Sequence, residues 1–348
     1  MGYKNRKNKT KKYKKHKSAK YKRHTKKESS RRLMVRNREK TTKKNMTGEI
    51  PKKKNQKKST RSKTAGNKLH HFTSSTCSPD KKLDFTCYNN KELEKIKKNW
   101  NFSNPTKQIL TNDTKAIWTK LKTNLVNKCD TEKCWLKQKF MEKALDNDLL
   151  KHTFAPMAPA KWRGNPNEWL DSNNIIQVMD QYEYTYPDFK FIGPSPIDFD
   201  AKESFSRCVW PELCNFNLAD YQRDDITKIG MIFNTDPHTK GGSHWISAFL
   251  NLKEKYLYYF DSNADATPKE VILLFHDIKY QAMALDPPII LDIFKNGVEH
   301  QHTDTECGVY SLYTIVTLLT GENKLKDFDK RIPDSVMERY RNIFFTKQ

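Results

Sequence analysis

The sequence predicts a mixed α+β chain, in which a strand-bearing, helix-flanked C-terminal domain follows a small helical module and a basic arm without regular structure. Three observations predict it. Positive charge is concentrated at one end, apolar residues recur at three- and four-residue spacings from about Leu83 to Leu150, and short apolar runs bounded by turn residues begin at Lys228. The boundaries that follow are 1–70 for the arm, 71–152 for the module and 153–348 for the C-terminal domain.

Residues 1–70 hold 29 of the 65 Lys and Arg but only 3 of the 41 Asp and Glu, so the formal charge of +24 belongs to the arm and the remainder is nearly neutral. Runs such as Lys11-Lys12-Tyr13-Lys14-Lys15 and Lys52-Lys53-Lys54 carry no apolar periodicity, cannot offset chain entropy by burial, and are expected to be disordered. Cations on such an arm gain affinity for polyanions by counterion release, which makes nucleic acid or an acidic capsid surface a candidate partner. A nuclear-import signal or a solubilising tail are the alternatives. No run approaches the roughly 18 apolar residues of a bilayer span, and the Lys-rich start lacks the apolar core of a signal peptide. The expectation is a soluble intracellular protein without a membrane partner. Seven cysteines, an odd and scattered set, fit a reducing compartment and unpaired thiols.

Within the module, Leu93, Ile96 and Trp100 mark one helix, and Ile117, Trp118, Leu121 and Leu125 a second. Asn104-Pro105 separates them, and Asp113 or Thr114 caps the second. Cys134, Trp135, Phe140, Leu145 and Leu149 continue the pattern as a third helix. Cys77, Cys87, Cys129 and Cys134 invite a zinc reading, but neither pair has CxxC spacing, and idle thiols are preferred; no metal or cofactor is expected. Cys208 and Cys214 are read the same way.

Prolines between Phe154 and Gly164 forbid a helix at the entry to the C-terminal domain. Trp169 to Met179 reads as a helix capped by Asp171 or Ser172, with Ile175, Ile176 and Met179 as its apolar stripe. Phe189–Ile192, Ile229–Phe233, Trp245–Leu252, Tyr256–Phe260 and Ile289–Phe294 read as strands, with Lys253-Glu254-Lys255 as a hairpin turn. Thr267 and Pro268 open a helix towards Met283, Gly308–Leu319 is a strongly apolar central helix, and Asp334 to Phe345 a terminal one.

This layout brings three reactive side chains together. His244 opens one strand of a hairpin and Asp261 ends the other, which places carboxylate beside imidazole. Cys307 stands at the first turn of the apolar helix, where unpaired amides and the helix dipole favour a thiolate. A base beside a thiol raises its nucleophilic fraction, an acid behind the base orients it, and Gln301 in the preceding loop offers an amide to an oxyanion. The Cys307 backbone amide is a second donor. His276 is expected to face solvent or pack, His300 and His302 to be exposed loop residues, and Asp304 to cap the helix at Cys307.

His244-Trp245, Asp261-Ser262 and Gln301-x5-Cys307-Gly308, in that order, resemble the ubiquitin-like-protein (SUMO) protease and adenovirus protease superfamily. Trp169-Leu170-Asp171-Ser172-Asn173-Asn174-Ile175 resembles the helix that opens its catalytic domain, so the likeness covers about Phe154 onward. The basic arm, the Cys- and Trp-bearing module and Pro196 to Phe199 look like the thiol proteases of giant DNA viruses. The resemblance implies a papain-like fold, a central mixed or antiparallel sheet flanked by helices, with His244, Asp261, Cys307 and Gln301 as catalytic residues. It further implies substrate contacts at Trp245, Gly308 and Trp169 and cleavage after Gly in Gly-Gly-X or Gly-X-Gly sequences. Trp245 reads equally well as strand packing, and the role of Glu306, just before Cys307, is open. The implied function is a viral protease processing capsid or core precursors in the virion or in a cytoplasmic viral factory, with the nucleus as the alternative site. A deSUMOylating or deubiquitinating isopeptidase, and a DNA-associated virion protein with a degenerate protease domain, are the competing readings.

Overall fold

The computed structural model describes residues 76–79, 83–144, 147–203 and 206–347; the basic arm at 1–70 lies outside them. In the helical module, α1 (Asn90–Ser103) starts on a capping box in which the Glu92 amide donates to the Asn89 side chain and the Asn89 amide donates to the Glu92 carboxylate. Asp113 caps α2 (Thr114–Leu125) by accepting from the Ala116 amide at 2.7 Å. The expected third helix is instead broken into α3 (Glu132–Leu136), a 3-10 turn at Lys139–Met141 and α4 (Asn147–His152). A disulfide from Cys129 to Cys134 ties α3 to the end of α2, and Thr131 caps it afresh, so the chain folds back rather than continuing. Tyr88, Trp100, Trp135 and Phe154 fill this module's own core.

The C-terminal domain is built on one five-stranded sheet in the order β1 (Phe189–Pro196), β2 (Lys228–Asn234), β3 (Trp245–Asn251), β4 (Tyr256–Phe260) and β5 (Asp292–Lys295). The sheet is mixed: β2, β3 and β4 are antiparallel, while β1 joins β2 and β5 joins β4 in parallel. Every residue of β3 is buried, because helices cover both faces. On one face lie α5 (Ser172–Thr185), α9 (Cys307–Thr320) and α10 (Asp334–Phe344), packed around Phe249, Tyr258 and Phe260. On the other lie α7 (Leu218–Arg223) and α8 (Lys269–Met283), packed around Ile246, Ala248 and Leu257.

Local differences from the expected elements have local causes. Pro268 holds an extended ψ of 145°, so it is itself the N-cap of α8 and Thr267 is not. β5 starts later than Ile289 because the Ile289 amide bonds back to Ala282 at the end of α8; its ladder to β4 begins only at Asp292. The one-turn helix α6 (Pro211–Cys214) and the short α7 are too brief to show a helical period in sequence.

The cysteines depart furthest from expectation. Cys77 pairs with Cys87, Cys129 with Cys134 and Cys208 with Cys214, and among the described residues Cys307 is the free one. The pairs are 10, 5 and 6 residues apart, so each closes a small loop, a spacing that sequence alone does not separate from idle thiols. Among the described residues no cluster of three His, Cys, Asp or Glu could hold a metal ion, and no helix is long and apolar enough to cross a membrane.

Candidate active site

The start of β3, the end of β4 and the start of α9 meet at one edge of the sheet. The β3–β4 register pairs Ser247 with Phe260, so one further step sets Asp261 opposite Ile246, diagonal to His244 and on the same face. His244 Nε2 lies 2.7 Å from Asp261 Oδ1, with the two side chains 15% and 3% exposed. Cys307 also acts on the imidazole, favouring its protonated form together with Asp261. Burial works against a charged ring, but the bonds to Asp261 and Cys307 outweigh it and hold the His244 pKa up at about 10. An imidazolium that persists at neutral pH is the partner a thiolate nucleophile requires.

The loop that delivers His244 is closed by one side chain. Asn234 Oδ1 accepts from the amides of Asp236 (3.0 Å) and Ser243 (3.2 Å), and the Thr235 amide donates to the His244 carbonyl. Gly242 is held at φ +87°, and a Cβ there would fall 2.6 Å from Asn234 Nδ2, so this closure requires glycine. His238, on the same loop, is fixed to Asp198 at 2.7 Å.

A second layer of polar groups holds Asp261 and Gln301, and sequence reasoning misses most of it. The Asn296 side chain accepts from the Asp261 amide and donates to the Asp261 carbonyl (3.0 and 2.7 Å), while the Asn263 amide donates to Asp261 Oδ1. The Ser262 hydroxyl donates to Gln301 Oε1 at 2.8 Å, and the Ser262 carbonyl accepts the His300 and Gln301 amides. The Gln301 amide group therefore turns its nitrogen away from Ser262; one of its hydrogens goes to the Thr303 carbonyl and the second is left for another acceptor. Nothing in the spacing of Asn296 singles it out.

Trp245 and Trp169 line a cleft of about 490 Å³ together with Leu170, Pro194, Trp210 and Asn234. The Trp245 indole donates to the Leu170 carbonyl at 2.9 Å and is 8% exposed, whereas Trp169 is 42% exposed. Gly308 is packed beneath them: a Cβ there would meet Leu170 Cβ at 3.0 Å and Trp245 Cδ1 at 3.1 Å. The close approach of α9 to this wall depends on that missing side chain.

The remaining histidines and Asp304 sort by burial. His276 and His302 are exposed, and Asp304 is also exposed and caps nothing, the N-cap of α9 being Glu306 without a side-chain bond. His300, expected on the surface, is fully buried against Phe260 and Tyr310. Its Nδ1 accepts the Ile332 amide at 3.0 Å, and burial, with the Arg331 charge adding to it, pulls its pKa down to about 4. A depressed value means stability that is present above the ordinary histidine pKa and lost as pH falls towards 4. Thermal midpoints measured from pH 7 to pH 4 should therefore fall less steeply in His300→Asn than in the parent; equal slopes would contradict this.

A sequence profile of the Ulp1 protease family, C-terminal catalytic domain, matches residues 216–348. A protein of Acanthamoeba polyphaga mimivirus described as a thiol protease is 31% identical over 300 residues, covering 78% of this chain and 93% of that protein. The SUMO-1 cysteine protease of African swine fever virus is 25% identical over 231 residues, covering 62% of this chain and 83% of the viral one. The crystal structure of the African swine fever virus protease overlays with a TM-score of 0.58 at 21% identity, over 80% of this chain and 99% of that one, a likeness of fold. The mixed sheet, the free cysteine at a helix start and relatives that match over most of their length agree, and the chain belongs to the Ulp1 protease family of cysteine peptidases.

Proposed function

We propose that this chain is a viral cysteine endopeptidase that cuts capsid or core precursor proteins after glycine, at Gly-Gly-X or Gly-X-Gly sequences. The observation that carries the reading is the His244 imidazole, bonded to Asp261 and held protonated by that carboxylate and by Cys307, the free thiol at the start of α9. The Cys307 sulfur attacks the scissile carbonyl carbon, and the oxyanion takes hydrogen bonds from the Cys307 amide and the second Gln301 N–H. His244 then gives its proton to the leaving amine, which departs and leaves a thioester. Water loses a proton to His244 as it attacks that thioester, and the thiolate is released. Asp261 keeps the ring in the one orientation that serves both steps.

The glycine preference is supported by the family likeness and by Trp169, Leu170 and Trp245, which wall a cleft that reaches the residue next to His244. The basic arm would hold the enzyme to packaged nucleic acid or an acidic scaffold inside the particle or viral factory. Purified full-length protein should cleave Gly-Gly-X peptides in preference to the same peptides with alanine for glycine. Turnover of intact SUMO or ubiquitin reporters without cleavage of short peptides would instead establish a deconjugating enzyme; the African swine fever virus relative is named a SUMO-1 cysteine protease.

A further inference from the structure

We propose that Arg341 and Glu306 act as a positioning pair for the nucleophile: Arg341 neutralises the carboxylate next to Cys307 and ties the nucleophile loop to the cleft wall. The proposal rests on the reading of Cys307 as nucleophile. Glu306 and Arg341 are 1% and 4% exposed at their side chains, and Arg341 Nε donates to both Glu306 oxygens, at 2.8 and 3.1 Å. The other two guanidinium nitrogens are committed as well. Nη1 donates to the Glu168 carbonyl at 2.8 Å, and Nη2 to the Thr305 carbonyl at 3.1 Å. The guanidinium carbon sits 4.6 Å from the centroid of the Trp162 ring. One planar group from α10 thus fixes the residue before Trp169 and the two residues before Cys307.

The local charge explains why such a clamp sits here. Glu306 is the N-cap of α9, yet its carboxylate takes none of the free amides of that helix. It is a buried anion one residue from a sulfur that must itself become anionic, and like charges at that range oppose ionisation. From the other elements, His244 with Asp261 behind it acts on Cys307, and on α9 itself the Tyr310 hydroxyl feels Glu306. Arg341 is the cation bonded to the Glu306 carboxylate. Removing it should leave the fold's strand and helix framework and raise the pH needed to ionise the nucleophile.

The test is the pH dependence of iodoacetamide alkylation of Cys307 in the full chain, read by mass spectrometry. In Arg341→Met the midpoint should move up by about one pH unit, with alkylation slowed by up to roughly tenfold at pH values below the parental midpoint. Adding Glu306→Gln to that variant should bring the rate back to within about twofold of the parent, because the uncompensated charge is gone. Glu306→Gln alone should move the midpoint down, and it decides the matter if Arg341→Met does not fold. A parental midpoint in Arg341→Met, a double variant slower than the single, or an unmoved midpoint in Glu306→Gln overturns the proposal. Peptide hydrolysis by Cys307→Ala would overturn the nucleophile assignment instead, and leaves these midpoints interpretable.

Discussion

Cys307→Ala should lose peptide hydrolysis by about four orders of magnitude or more, since removing the attacking atom of a concerted set removes nearly all the chemistry the set performs. The substitution exchanges a thiol for hydrogen at a site that is 2% exposed, in an α9 that is buried from Cys307 to Leu319. Stability should therefore change by no more than about 1 kcal/mol, and circular dichroism and the unfolding midpoint should match the parent. Both readings are needed on whichever Gly-Gly-X peptide or SUMO reporter the parent turns over. Residual activity above about one part in a hundred, in a folded variant, would exclude Cys307 as nucleophile.

Asp261→Asn should cost about 10³- to 10⁴-fold in kcat with little change in KM. An amide here removes the negative charge that supports the imidazolium, and one that turns its Nδ2–H towards Nε2 strips that nitrogen of the proton the ring must carry for the leaving amine. The same change has a signature in stability. In the parent, the raised His244 pKa contributes stability that is fully present below the ordinary histidine value of about 6.5 and is lost as pH rises through about 10. With the carboxylate gone, the thermal midpoint should vary less between pH 7 and pH 10 than in the parent. A variant with parental kcat would remove Asp261 from the mechanism.

What can be read from sequence follows the physics of short range. His244 and Asp261 are legible because a hairpin with a four-residue turn leaves little freedom in which residues oppose, and Cys307 because a helix start is marked by the apolar run after it. The caps at Asp113 and Asp171 are legible for the same reason, since each side chain lies three residues from the amide it accepts. Arg341 and Asn296 are illegible for the converse reason: each acts on a residue 35 positions away, and on sequence alone an arginine in an amphipathic helix reads as solvated surface. The disulfides escape a reading from composition, where an odd cysteine count fits unpaired thiols as well as it fits pairs with one left over.

The clamp at Arg341 also bears on the order in which the polypeptide is made. A chain that has emerged from the ribosome as far as the end of α9 already holds His244, Asp261 and Cys307, yet has neither the guanidinium that neutralises Glu306 nor the Ile332 amide that seats His300. Domains consolidate as units once their last elements are available. The polar surroundings of Cys307 and His300 are thereby completed only when α10 and the segment leading into it have joined the fold.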